Sequence, residues 1–239
     1  MKTAVKPNIT VSLAFLIAFL TSCHVTGQVV ETGIEVLARN KFDLLQGKRV
    51  GLVTNPTGVD RNLRSTVDIL NTAPGVKLTA LYGPEHGVRG EFTAGEYVES
   101  ETDPGTGLPV YSLYGKTRKP SPEMLNNIDI LVYDIQDIGS RSYTFISTLG
   151  LIMEAAAEKG IPVVVLDRPN PLGGIRMEGA VTRPGFFSFV SQFAIPYLHG
   201  MTVGELAMFL NGEGMLSNGL RCDLHVVKMN GWSRKMMFE

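Results

Sequence analysis

Cysteine and histidine are scarce in this chain. Its 239 residues include two cysteines and four histidines. A zinc site built on paired cysteines needs more thiols than this, and a centre ligated by several histidines is not favoured either. Of the two cysteines, Cys222 lies in a stretch of alternating apolar residues, where a small core side chain is expected. The composition therefore points away from disulfide frameworks and metal centres.

Excess charge of either sign is also absent. The formal net charge is -1, from 22 basic and 23 acidic residues, and no basic stripe carries interleaved aromatic side chains. Nucleic acid is therefore not an expected partner. Four catalytic signatures are missing, namely G-x-S-x-G, S-x-x-K, H-E-x-x-H and G-x-x-x-x-G-K. Serine nucleophiles, zinc hydrolysis and phosphate-binding loops are thus not indicated.

The chain lacks an apolar run of the roughly 20 residues that a bilayer-spanning helix needs. Residues 11–20 form a shorter apolar run behind Lys2 and Lys6, the pattern of a secretory signal peptide. The run leads into the tetrapeptide LTSC, which ends at Cys23 and resembles a bacterial lipobox. We expect residues 1–23 to be a signal with Cys23 lipidated, giving an exported, periplasmic lipoprotein that touches the membrane only through its lipid anchor. Cleavage by ordinary signal peptidase, leaving no anchor, is the alternative.

Apolar strand-like runs alternate with helical periodicity over residues 30–212. Such alternation predicts an α/β domain, with a Rossmann-like parallel sheet covered by helices on both faces. Predicted strands cover residues 49–54, 76–82, 128–135, 162–167 and 224–227. Predicted helices cover residues 34–45, a short segment capped by Ser65, residues 142–159, and a segment opened by the capping box of Thr202 and Glu205.

Residues 82–123 break this pattern. They are rich in glycine, proline and charge, and a short strand over residues 108–114 is the only element that we expect within them. Because unstructured connections of this length are uncommon in compact domains and are usually functional or mobile, we expect part of a site here.

Polar side chains cluster where four of the predicted strands end. Because ligands of parallel α/β sheets bind at the carboxyl ends of the strands, these residues predict a polar cleft. Each has a structural alternative as a turn cap, an ion-pair partner or a braced loop residue. The candidates are Asn55, Thr57, Glu85, His86, Arg89, Glu91, Asp134, Gln136, Asp137, Arg141, Asp167, Arg168 and Asn170.

Four segments carry a resemblance to a known family. GLVTNPTGVD, LYGPEHGVRGE, LVYDIQDIGSRSYTF and VVLDRPNPLGG resemble the exo-β-N-acetylmuramidase family NamZ over residues 34–232. The resemblance implies a Rossmann-like N-terminal domain with a smaller C-terminal domain, and the active cleft between them. It also implies a glycosidase of cell-wall recycling that removes N-acetylmuramic acid from the non-reducing end of peptidoglycan fragments, without a metal or organic cofactor.

The same resemblance assigns roles. The family's proposed catalytic glutamate falls on Glu85, which would act as the general acid. The second group stays open among Asp134, Asp137, Glu91 and the acetamido group of the substrate. Arg141 or Arg168 would pair with the lactyl carboxylate that distinguishes muramic acid from glucosamine.

The family's pattern continues beyond this chain, which ends at Glu239. We therefore expect residues 213–239 to be only the start of the C-terminal region. Two alternatives to an active enzyme remain: a lipoprotein that binds peptidoglycan fragments without cleaving them, and an inactive truncated remnant.

Overall fold

Seven strands form a single sheet in the part of the chain that the structure describes. The computed structural model of the chain describes residues 29–90 and 101–238. The strands are β1 (Arg49–Thr54), β2 (Lys77–Gly83), β3 (Glu101–Thr102), β4 (Pro109–Ser112), β5 (Ile130–Asp134), β6 (Val163–Leu166) and β7 (Leu224–Val227). The helices are α1 (Gly33–Arg39), α2 (Thr66–Thr72), α3 (Phe145–Lys159) and α4 (Val203–Gly212).

The sheet has the order β3-β4-β2-β1-β5-β6-β7. Every neighbouring pair is parallel except β3 and β4, which run antiparallel. This arrangement confirms the predicted Rossmann-like class. It also places the carboxyl ends of β2, β1, β5 and β6 side by side along one edge of the sheet.

Alternate residues of the strands contribute to two separate hydrophobic cores, one on each face of the sheet. In β5, Leu131 and Tyr133 pack with α3 and α4, whereas Ile130 and Val132 pack with α1 and α2. Side chains of a strand point alternately to opposite faces, so a strand covered on both faces must be apolar throughout. This is the reason that the strands read as nearly continuous apolar runs in the sequence.

The capping signals act as expected in two helices. The Ser65 hydroxyl accepts a hydrogen bond from the amide of Asp68 at 3.1 Å and so caps α2. Thr202 and Glu205 form a complete capping box at the start of α4. These bonds satisfy amides that the first helical turn leaves without partners.

The first helix is shorter than predicted. It ends at Arg39, and a separate 3₁₀ turn, Asp43–Leu45, follows. The backbone of Lys41 and Phe42 between them has φ values of 57° and 55°, which an α-helix does not contain. Beyond this reversal, Phe42 and Leu45 are buried in the same core as α1.

The sheet contains one short strand, β3, that was not predicted. The strand expected within residues 82–123 is β4, and the two-residue β3 pairs with it at the edge. At the other edge, β7 pairs in parallel with β6, so the sheet-bearing unit continues beyond the boundary predicted at residue 212. Cys222 is buried in the same core, and burial raises the pKa of its thiol to about 11. No helix within the described residues is long and apolar enough to cross a bilayer.

Candidate active site

Polar side chains join the ends of β1 and β5. The Thr54 hydroxyl donates to the carbonyl oxygen of Asp134 at 2.8 Å. The side-chain oxygen of Asn55 accepts from both the amide and the hydroxyl of Thr57. The Thr57 hydroxyl oxygen in turn accepts from the amide of Gln136 at 2.9 Å. Asn55, Thr57 and Gln136 therefore lie together, as their positions at neighbouring strand ends predict.

Asp134 and Arg168 form a buried ion pair beneath this edge. Arg168 donates from Nε at 2.6 Å and from Nη2 at 2.9 Å to the two carboxylate oxygens of Asp134. The Thr66 hydroxyl donates to the same carboxylate, and Arg168 Nη2 also reaches the carbonyl of Val59. Asp134 is 0 % exposed and Arg168 is 4 % exposed. This geometry argues against Asp134 as a base that activates water, and against Arg168 as the partner of a substrate carboxylate.

Asp167 and Asn170 are engaged in holding the backbone. The Asp167 carboxylate accepts from the amide of Gly204 at 2.8 Å and from the Thr202 hydroxyl at 3.0 Å, so it caps α4 from the end of β6. Burial raises the pKa of Asp167, although these hydrogen bonds act in the opposite direction. Asn170 donates to the carbonyl of Met201 and accepts from the amide of Leu172.

Asp137 is paired with His199, which precedes α4. Its Oδ2 lies 3.2 Å from His199 Nε2 and accepts from the amide of Gly139 at 2.8 Å. The amide of Met201 donates to His199 Nδ1, which leaves Nε2 as the ring nitrogen that carries hydrogen. Oδ1 of Asp137 is buried with no hydrogen-bond partner among the described residues. The pair connects the end of β5 to the start of α4.

Glu85 differs from these three aspartates because it is only partly buried. Gly83 pairs with Ser112 across β2 and β4, and Leu113 continues the ladder by donating to the Gly83 carbonyl. Glu85 lies two residues after Gly83, and Tyr114 lies two residues after Ser112. Hydrogen bonding to the Glu85 carboxylate raises the pKa of the Tyr114 hydroxyl.

The turn that carries Glu85 is anchored by Arg89. Its guanidinium lies 2.5 Å from Asp103 and 2.9 Å from Asp68, and these hydrogen bonds raise the pKa of Arg89. Arg89 is therefore an anchor between the turn, α2 and the loop before β4. His86, exposed and with φ 73°, stands at the tip of the turn. Glu91 lies outside the described residues, and so does Cys23 with the predicted signal peptide.

Arg141 holds the long connection between β6 and α4. Its Nη1 donates to the carbonyls of Ala180 and Ile195, both at 2.6 Å. The guanidinium carbon also lies 5.7 Å from the ring centroid of Tyr197. Arg141 thus fastens residues 171–198 against the end of β5.

A cavity of about 580 Å³ opens beside Gln136 and Asn170. Its wall is mostly apolar and is completed by the C-terminal segment, with Trp232, Met236 and Phe238 among its lining residues. Glu85 is not one of its walls, so the predicted residues divide between this cavity and the turn after β2. Within the part of the chain that the structure describes, no cluster of histidine, cysteine or carboxylate side chains could hold a metal ion.

Two residues near the candidate site were missed from the sequence. Tyr114 is the last residue of the strand predicted over residues 108–114. The end of that strand was not among the four strand ends that predicted the cleft. His199 precedes Gly200 and a helix start, where packing is the default expectation. A histidine in such a place gives no sequence signal of its carboxylate partner.

Comparison with known proteins gives consistent matches. The family model described as "Exo-beta-N-acetylmuramidase NamZ, N-terminal" matches residues 50–239. The chain is 56% identical over 210 residues to the peptidoglycan β-N-acetylmuramidase NamZ of Bacillus subtilis (strain 168), covering 88% of this chain and 50% of that relative. It therefore spans about half the length of the curated relative it matches.

Two solved structures agree with these matches. One crystal structure of a DUF1343 family protein from Bacteroides fragilis NCTC 9343 superposes with a TM-score of 0.82 at 64% identity, covering 87% of this chain and 52% of that one. A second protein of that family from the same organism gives a TM-score of 0.77 at 35% identity, covering 87% of this chain and 54% of that one.

Proposed function

Because the chain belongs to the NamZ exo-β-N-acetylmuramidase family, of which it represents the N-terminal part, we propose that it carries the general acid of a peptidoglycan glycosidase. The substrate would be a peptidoglycan fragment with N-acetylmuramic acid at its non-reducing end. The Bacillus subtilis relative, a peptidoglycan β-N-acetylmuramidase, supports this proposal. We assign the acid role to Glu85.

The environment of Glu85 is the observation that carries this assignment. Of the four predicted carboxylates that the structure describes, Asp134, Asp137 and Asp167 are buried and engaged by protein donors, whereas Glu85 is partly exposed. A general acid must reach the glycosidic oxygen, so its carboxyl group has to face the substrate.

The reaction follows from this placement. Glu85 gives its proton to the glycosidic oxygen while the bond from that oxygen to the anomeric carbon of the muramic acid breaks. A second group then delivers water, or attacks the anomeric carbon itself. Burial disfavours both Asp134 and Asp137 for this step, so the remaining candidates are Glu91 and the acetamido oxygen of the substrate.

Release of free N-acetylmuramic acid from the disaccharide MurNAc-GlcNAc tests the proposed function. We expect the purified chain to release the sugar at a rate proportional to protein concentration, measured by chromatography. Heat-denatured protein is the control. Binding of the disaccharide without release would instead favour a sugar-binding lipoprotein, and the absence of both binding and release would favour an inactive remnant.

We further propose that the protein is exported and anchored through Cys23. The basic start, the ten-residue apolar run and the LTSC motif support this location. We expect cells fed with labelled palmitate to incorporate label into the wild-type chain and not into Cys23→Ser. Equal labelling of the two, or no labelling of either, would contradict lipidation at this residue.

A further inference from the structure

The cavity beside Gln136 and Asn170 is lined, among the described residues, by uncharged side chains alone. Its volume of about 580 Å³ falls in the range of small-molecule sites, and it opens at the carboxyl ends of β5 and β6, where parallel sheets bind ligands. An ionised group inside it would lose water without gaining an ionic partner, which is unfavourable. The cavity is therefore suited to an uncharged molecule.

The wall that the C-terminal segment supplies is fastened to the rest of the domain. Arg234 donates from Nη1 to the carbonyl of Gly200 at 3.1 Å, and its Nη2 lies 2.6 Å from a carboxylate oxygen of Glu205. The amide of Phe238 donates to the carbonyl of Pro171 at 2.9 Å. This part of the cavity wall is thus held in place by the protein itself.

Two wall residues offer hydrogen bonds that complement an amide. Gln136 Nε2 donates to the carbonyls of Asp137 and Pro169, both at 2.6 Å, so Oε1 is the side-chain atom that remains for a ligand. The indole N–H of Trp232 is buried and has no partner among the described residues, and an unpaired buried donor is unfavourable. An acetamido group supplies an N–H for the first atom and a carbonyl for the second. Its methyl group matches apolar wall residues such as Met236.

The loop after β1 connects the cavity to the turn that carries Glu85. Gly90 of that turn packs against Pro56, since a Cβ atom on this glycine would lie 2.9 Å from the proline Cγ. Thr57 accepts a hydrogen bond from the amide of Gln136 at 2.9 Å, and Gln136 is part of the cavity wall. Two contacts therefore join the turn to the cavity along one edge of the sheet.

We propose that this cavity binds the neutral N-acetylglucosamine unit of the substrate through its acetamido group, with Gln136 and Trp232 as the hydrogen-bonding residues. The inference rests on the proposed function, because it places the sugar that leaves with the protonated oxygen. Both sugars of MurNAc-GlcNAc carry an acetamido group, but only N-acetylmuramic acid carries a carboxylate. The uncharged wall therefore favours N-acetylglucosamine, and the muramic acid unit lies outside the cavity.

The fluorescence of Trp232, the single tryptophan of the chain, reports directly on the cavity wall. We expect titration of the full chain with N-acetylglucosamine to change this fluorescence saturably. Glucose, which lacks the acetamido group, should bind about tenfold more weakly, the range for the loss of two neutral hydrogen bonds. N-acetylmuramic acid should also bind about tenfold more weakly or worse, because its carboxylate would enter an uncharged site.

Trp232→Phe keeps an aromatic wall and removes the indole N–H. By calorimetry, this variant should bind N-acetylglucosamine about two- to tenfold more weakly than the wild type, the range for one hydrogen bond, and should bind glucose unchanged. Phe209→Ala is the matched control, because Phe209 is an exposed aromatic residue of α4 outside the cavity wall. We expect the control to bind both sugars as the wild type does.

The outcomes separate this inference from the proposed function. Fluorescence that does not respond to N-acetylglucosamine, or equal affinity for glucose or for N-acetylmuramic acid, would overturn the inference. Unchanged affinity of Trp232→Phe for N-acetylglucosamine would also count against it. Selective binding of N-acetylglucosamine by a chain that releases no N-acetylmuramic acid from MurNAc-GlcNAc would refute the proposed function and support the cavity as a sugar site. Release without any response of Trp232 to N-acetylglucosamine would do the reverse.

Discussion

Replacement of Glu85 by glutamine is expected to slow the release of N-acetylmuramic acid from MurNAc-GlcNAc by about 10²–10⁴-fold, the usual contribution of a positioned general acid. Glutamine has nearly the shape of glutamate, and its side-chain oxygen can still accept the hydrogen bond of Tyr114. The variant therefore keeps the geometry of the turn and loses only the transferable proton. We expect the affinity for the disaccharide to change little.

The leaving group offers a second readout for the same variant. An aryl glycoside of N-acetylmuramic acid with an acidic phenol as leaving group needs little protonation, so Glu85→Gln should lose far less activity on it than on the disaccharide. Glu123→Gln is the matched control, because Glu123 is exposed and precedes the amino end of β5. A Glu85→Gln enzyme that retains wild-type turnover of the disaccharide would remove Glu85 from the mechanism.

Breaking the ion pair of Asp134 and Arg168 should produce the largest loss of stability. Asp134→Leu leaves the Arg168 guanidinium buried without its carboxylate, and Arg168→Met leaves the carboxylate without its cation. Each single change is expected to reduce the free energy of unfolding by about 3–5 kcal/mol, because an unpaired charge in the interior is strongly unfavourable. Urea unfolding followed by fluorescence of Trp232, the single tryptophan, measures the loss.

The double variant separates pairing from packing. When both charges are replaced by apolar side chains, no uncompensated charge remains, so the combined loss should be well below the sum of the two single losses. The exposed pair of Arg176 and Glu178 serves as the control, and the same cycle there should stay within about 1 kcal/mol. Additive losses at Asp134 and Arg168 would show that the two residues act independently.

These two predictions concern residues that looked alike in the sequence. Glu85 lies just after an apolar strand and Asp134 ends one, and both were candidates for acid-base chemistry. Their burial in the structure differs. Asp134 is 0 % exposed and accepts hydrogen bonds from Thr66 and Arg168, whereas Glu85 is partly exposed on a turn. Arg141 and Arg168 were similarly equivalent candidates for the lactyl carboxylate, and each is now engaged by other protein groups.

The sequence by itself determined the fold class and the edge of the sheet at which to look. Strands covered on both faces must be apolar along their length, so the local sequence pattern predicts β1, β5 and β6. Helix caps require particular side chains at fixed spacing, so the same kind of pattern predicts the start of α4. Only the tertiary structure decided which polar residues meet. Tyr114 lies near Glu85 because β4 is paired with β2, and Arg118 contacts the ring of Phe189, a residue of the connection between β6 and α4. Packing and strand order bring together residues that are distant in the chain, such as Asp137 and His199. The local sequence pattern does not predict such pairs.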